Sequence, residues 1–302
     1  MRIGVMVGGG QDLDSLVART QELEAQGFDS LWMPNIFDLD AITSLSIVGR
    51  ETARIELGSA VVPTYPRHPV AMAQQALTAQ AAAHGRFVLG IGLSHKVVIE
   101  GMFGLSFERP ARHMRDYLGA LTLLLRGERV KYQGESYRVN AGFEVPGATP
   151  VPLLLAAMGE RMLDLAGAHA DGTSLWMTGP DTIERHIGPR LRQAAARAGR
   201  PDPRIVAAFP IALTNDPEGA RAQVSASLTG YGTLPSYRAM LDREGVEGPG
   251  DLAILGDEQV LDAAIDRLRD IGVTDFSASI MPVDPDAEGR TLAYLLSRLG
   301  GE

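Results

Sequence analysis

Short apolar runs rich in strand-forming residues alternate with helix-spaced patterns from one end of the chain to the other. Ile3, Val5 and Val7 mark a first strand over 2–7. Leu13, Leu16, Val17, Thr20 and Leu23 then share one helical face, with Asp12 or Asp14 placed to cap it and Gly27 to stop it. Seven more strands are expected at 29–33, 55–62, 87–92, 152–157, 172–176, 205–213 and 275–280. Helices are expected at 40–53, 70–83, from Arg109 onward, and at 160–169. Residues 130–139 carry a hairpin pattern with Gly134 at the turn, and 217–271 hold two helical stretches and an irregular segment. Eight strand–helix units predict an α/β fold. The form expected is a closed (β/α)8 TIM barrel, with an inserted β-hairpin between strands 4 and 5 and an extended region between strands 7 and 8. Gly8, Gly9 and Gly10 lack the Gly-x-Gly-x-x-Gly spacing, which disfavours a doubly wound dinucleotide-binding sheet. No repeat or linker divides the chain, so residues 1–302 are read as a single domain.

Composition narrows the chemistry more than the fold. Hydrophobic residues make up 45% of the 302, enough for a large core. A net charge of −9 repels phosphate backbones, so nucleic acid is not an expected partner. With no cysteine, disulfides, thiolate catalysis and sulfur-ligated metals are excluded. The six histidines show no metal-binding spacing, and neither a Gly-x-Ser-x-Gly elbow nor a P-loop occurs, so no metal site is expected. No signal-peptide layout or membrane-length apolar run is evident, and a cytoplasmic protein without membrane partners is expected. A bound organic cofactor acting on a small-molecule substrate fits this better than side chains working alone.

In such a barrel the chemistry sits just beyond the carboxyl ends of the strands. Gly8–Gly10 after strand 1 read equally as a close approach to a ligand or as a flexible loop. Asn35 after strand 2 reads as a hydrogen-bonding partner of a heterocycle or as a cap. His68, stiffened between Pro66 and Pro69, reads as a ligand contact or a structural residue. Gly90 and Gly92 leave room for something bulky, and Ser94 and His95 follow toward the cleft, His95 as a loop residue or a catalytic one. The most informative segment is 155–162, where a buried strand turns into a helix. Free amides of its first turn, the bare Gly159 and the charge of Arg161 favour a phosphate over an ordinary turn. Trp176, Met177 and Thr178 suit an apolar ring system, although Trp and Met are also common core residues.

The blocks Glu24–Trp32, Leu57–Pro69, Gly85–Gly92 and Ala156–Gly159 resemble the luciferase-like monooxygenase superfamily. Within it the likeness is to the coenzyme F420-dependent oxidoreductases of actinobacterial type, and it runs over nearly the whole length. The resemblance implies a non-proline cis peptide bond at Ala60–Val61 behind the cofactor ring, with Gly92 close by. It implies a cofactor phosphate site at Ala157, Met158, Gly159, Glu160 and Arg161, and ring and ribityl contacts at Trp176, Met177 and Thr178. It also places Asn35 and Ile36 at the reactive edge of the ring, and it implies a homodimer. Several members carry a histidine where Ile36 stands, so either the acid–base role passes to Asn35, His95 or another loop residue, or the reaction needs no strong base there and a proton comes from water. The implied function is hydride transfer between F420 and a small organic substrate, as a reductase in preference to a sugar-phosphate dehydrogenase. The alternatives are an FMN-dependent monooxygenase and a non-catalytic flavin- or deazaflavin-binding protein.

Overall fold

A computed structural model describes residues 1–300 of the chain. Eight parallel strands close on themselves: β1 (Arg2–Met6), β2 (Ser30–Met33), β3 (Glu56–Ser59), β4 (Phe87–Gly92), β5 (Leu153–Leu155), β6 (Gly172–Trp176), β7 (Arg204–Leu213) and β8 (Asp275–Ile280). Each pairs with its neighbours in sequence, and β8 returns to β1. The result is the (β/α)8 barrel that the alternation predicts, with helices packed around it.

Strand register sorts the side chains into layers. Because strand side chains alternate in direction, every second residue points inward. Arg2 faces Asp275 in register and Gly4 faces Ser30, which faces Glu56. At the amino-terminal end Arg204 therefore meets Glu56 and Asp275, both at hydrogen-bonding distance, and Arg2 closes the same network at 3.0 Å from Glu56. One layer up, Trp32 plugs the barrel with Val88, Leu154 and Val206. Its indole donates to Ser30 Oγ at 2.9 Å and lies where a β-carbon on Gly58 would stand, 2.2 Å away. The larger apolar layer, between strands and helices, holds residues such as Ile3, Leu45, Leu57, Phe87, Leu121 and Phe276. Charge fills the bottom, apolar bulk fills the middle, and the carboxyl ends of the strands are left open above.

Two of the sequence blocks quoted above tie this frame together. The Glu24 carboxylate accepts from the amides of Ala53, Arg54 and Ile55, fastening the end of the first helix (Leu13–Gln26) to the entry of β3. The Arg86 guanidinium donates to the carbonyls of Gly49, Thr52 and Ile55. Asp12 caps that first helix by accepting from the Ser15 amide, and Gly27, at φ 99°, ends it.

The structure departs from the expected elements in three places, while the cis bond and the hairpin fall where they are expected. The apolar run 55–62 is not one strand: β3 stops at Ser59, and Val62–Pro63 pairs separately with β4. The peptide bond between Ala60 and Val61 is cis. A short helix, Lys96–Gly101, follows β4, where a loop is expected. The stretch between β7 and β8 is richer than two helices. It contains helices Pro217–Ser227, Thr229–Gly232, Pro235–Glu244 and Glu258–Asp270, and a strand, Ile254–Gly256, that extends the sheet beside β7. The antiparallel pair Val130–Gln133 and Arg138–Ala141 lies between β4 and β5, with Gly134 opening its turn.

Candidate functional site

Beyond the carboxyl ends of the strands lies a cavity of about 980 Å³. Its floor follows from the register: Met6, Ala60, Ala156, Trp176 and Ser279 are the last inward residues of their strands or the first residues past them, and Ser174 lies one inward position below Trp176. The loops after β2 and β4 form one wall, with Ile36, Phe37, Val97 and Phe103 all turned partly to solvent. Phe37 is 60% exposed and Val97 69%, so this wall presents apolar surface at the cavity mouth. The opposite wall comes from the segment between β7 and β8, through Leu228, Tyr231, Leu234 and Tyr237.

The kink after β3 is held by backbone contacts. Ser59 Oγ donates to the Gly90 carbonyl at 3.0 Å and accepts from the Gly90 amide at 2.9 Å, while the Ala60 amide donates to the Met33 carbonyl. A β-carbon on Gly90 would lie 2.0 Å from the Ser59 carbonyl oxygen, and one on Gly92 would lie 2.7 Å from Val61 Cγ2. The room left by these glycines is therefore filled by the neighbouring strand. Gly92 seats Val61 and does not line the cavity itself, whereas Ala60 and Val61 do.

The turn after β5 is organised from outside. His186 Nε2 lies 2.9 Å from the Met158 carbonyl, and Arg190 holds both the carbonyl and the carboxylate of Glu160. Gly159 is the N-cap of helix Glu160–His169 and has open space where a β-carbon would stand. The amides of Glu160 and Arg161 make no hydrogen bond to the described residues, and the Arg161 guanidinium is exposed without an acidic partner among them. Ala157 and Met158 line the cavity, and Gly159, Glu160 and Arg161 continue from its edge. Free amides, an unpaired cation and no obstructing side chain are the requirements of an anion site.

The remaining residues divide. Asn35 lines the cavity, but its Oδ1 accepts from the Ala41 amide at 3.1 Å, so only its amide nitrogen is left for a ligand. His68 is outside: it caps the helix Pro69–Ala82 through Nδ1. Arg67 lines the cavity with its guanidinium held by Asp40. His95 lines it too, its ring 5.9 Å from that of Tyr237, and burial lowers its pKa, favouring the neutral imidazole. Trp176 faces inward, while Met177 turns away at φ 46° to pack with Leu241 and Leu252, and Thr178 is buried beside it. Sequence reasoning missed Arg67 as a lining residue, as well as Phe103, Tyr231 and Tyr237. Of these only Arg67 lay in a conspicuous motif; the aromatic residues sit in helices whose approach to the barrel mouth is a tertiary fact.

Among the described residues no helix is long and apolar enough to cross a membrane. Comparison with known proteins points one way in fold. A 5,10-methylenetetrahydromethanopterin reductase of Methanolobus tindarius is 26% identical over 294 residues, covering 88% of this chain and 89% of the relative. The solved coenzyme F420 dependent tetrahydromethanopterin reductase of Methanopyrus kandleri superposes with a TM-score of 0.80 at 21% identity, covering 99% of this chain and 97% of that one. A type II Baeyer-Villiger monooxygenase of Pseudomonas putida in complex with FMN superposes at 0.75 and 15% identity, over 98% and 96%. At these identities the superpositions establish the barrel alone. The sequence model of the luciferase-like monooxygenases matches residues 1–275, and the chain belongs to that family.

Proposed function

We propose that the chain is an oxidoreductase that binds coenzyme F420 and passes hydride from its reduced form to a small organic substrate. The observation that carries this reading is the continuity of one apolar cavity, running from the floor at Ala60 and Val61 to the free amides beyond Met158. A phosphorylated tricyclic cofactor needs an apolar bed for the ring and a cationic or amide-lined end for its phosphate, and this surface offers both. In this assignment Ala60, Val61 and Trp176 hold the ring, and the amides of Glu160 and Arg161 with the Arg161 side chain hold the phosphate. When bound, a reduced deazaflavin supplies hydride. The protein's part is to orient the two reactants and keep water away. The name of the Methanopyrus protein supports the deazaflavin over FMN, and the FMN complex of the Pseudomonas protein keeps FMN as the second reading.

The residues at hand favour reduction as the direction. Oxidising an alcohol requires a base poised to take its proton. His95 is neutral and available, but no carboxylate lines the cavity to orient it or to stabilise its protonated form. Reduction of a polarised C=C or C=N bond needs a weak acid, which the cavity has. Anaerobic reoxidation of reduced F420, followed optically with a panel of enones and imines, is expected to proceed with members of the panel and not with secondary alcohols plus oxidised F420. Turnover of alcohols alone would reverse the assigned direction.

A further inference from the structure

In the assignment above, the wall between β7 and β8 takes no part in holding the cofactor, and that wall is aromatic and uncharged. Of the described residues that line the cavity, only Arg67 carries a fixed charge, and Asp40 already neutralises it. No free cation is left inside for an anionic substrate. The polar groups on the outer side are Ser94, His95, Ser227, Tyr231 and Tyr237, all without a fixed charge. The two tyrosine rings meet edge to face at 5.1 Å, and Trp176 meets Tyr231 in the same manner at 6.2 Å. Edge-to-face packing fixes ring orientation and so aims the hydroxyls. The Tyr237 ring is half-buried against His95, and its hydroxyl makes no hydrogen bond to any described residue. A phenol hydroxyl without a protein partner on a cavity-lining residue is free to donate to a ligand's acceptor atom.

We propose that the outer half of the cavity receives a neutral, largely apolar carbonyl or imine compound, and that the Tyr237 hydroxyl hydrogen-bonds its acceptor atom and protonates it as hydride arrives. This deepens the functional reading above and rests on it. For a conjugated enone the step balances as follows. Hydride, with the two electrons of the reduced deazaflavin, forms a C–H bond at the β-carbon. The C=C pair moves toward the carbonyl oxygen, and that oxygen takes the proton of Tyr237. The enol then tautomerises to the saturated ketone, and the phenolate regains a proton from solvent. For an imine, hydride adds to carbon and the proton goes to nitrogen. Burial, with Tyr231 adding to it, holds the Tyr237 phenol well above the ordinary tyrosine range, so it enters the step protonated.

The test uses calorimetric titration of three probes of one shape into the full-length protein, with and without oxidised F420: 2-cyclohexen-1-one, cyclohexene, and the enone bearing a carboxylate. With F420 filling the site at Gly159–Arg161, the enone is expected to bind at least about tenfold more tightly than its carboxylated form, because the rest of the cavity cannot neutralise the added charge. Tyr237→Phe is expected to weaken the enone about tenfold and leave cyclohexene unchanged, since only one hydrogen bond is lost. In turnover the same variant is expected to lose about 100-fold in kcat with a smaller change in KM, the scale of one acid catalyst. Equal affinity for the carboxylated probe would overturn the substrate class. A Tyr237→Phe protein that binds the enone and turns it over like the parent would overturn the role of the hydroxyl. Failure of F420 itself to bind would instead overturn the functional reading, and the cofactor-free titrations would still judge the cavity.

Discussion

Gly159→Asp is expected to weaken F420 binding by about 30-fold while leaving the fold as stable as before or slightly more so. The two effects part because the residue plays two roles. As the N-cap of Glu160–His169, an Asp can accept from the amides of the first turn, and the space for its side chain is open. Replacing a glycine cap with Asp is worth a few tenths of a kcal/mol in favour of the helix, roughly. For a phosphate the same carboxylate is harmful: it occupies the amides and sets negative charge against negative charge. At a separation of about 5 Å the repulsion would be near 3 kcal/mol in an environment of intermediate dielectric. Exposure at the cavity edge reduces that to about 2 kcal/mol, which is the 30-fold. Thermal denaturation and a cofactor titration on one preparation would separate the two effects. A variant that loses affinity only by losing its fold would speak against an anion site here.

Gly90→Ala is expected to produce the largest loss of stability of any single methyl added to the barrel mouth, and to lose cofactor affinity with it. The new β-carbon would lie 2.0 Å from the Ser59 carbonyl oxygen and 3.1 Å from Val61 Cγ1. The first of these is backbone, so it cannot be relieved by a rotamer change, and Ser59 is also bound to Gly90 through its hydroxyl in both directions. Overpacking of this kind costs about 1–3 kcal/mol, and more where backbone must move. Because Ser59 leads directly into Ala60 and Val61, the displacement is transmitted to the floor of the cavity. Gly159→Asp and Gly90→Ala thus make a pair: one should reduce affinity with the midpoint of unfolding kept, the other should reduce both. Chemical denaturation of the two variants beside the parent would check this.

The barrel was legible because its two periodicities are plain: the strands are short β-rich runs, and the segments between them repeat at helical spacing. Where the reading failed, the cause was a partner that only the folded chain supplies. Val62 follows Ala60 and Val61 without a polar break, so nothing local marks the end of β3 at Ser59. Gly90 and Gly92 were rightly seen to admit something bulky, but that object is the adjoining strand. Met177 follows Trp176 in sequence and faces the other way, as alternation along β6 and the positive φ after it require. His68 turns out to cap a helix, and Asn35, while lining the cavity, also accepts from the first amide of the helix that Asp40 caps. Tyr231 and Tyr237 stood in a stretch expected to be partly irregular. Their place on the cavity wall depends on how the helices after β7 fold back, a matter of packing that no spacing of residues encodes.

The central claim is that this cavity is a deazaflavin seat, and the most direct measurement is a pair of equilibrium titrations followed by tryptophan fluorescence, one with F420 and one with FMN. Trp176 lines the cavity and Trp32 lies in the layer beneath it, so a ring settling over Ala60 and Val61 must quench. The account predicts saturable quenching by F420, with an affinity at least about tenfold above that for FMN. Quenching by FMN with no response to F420 would contradict it.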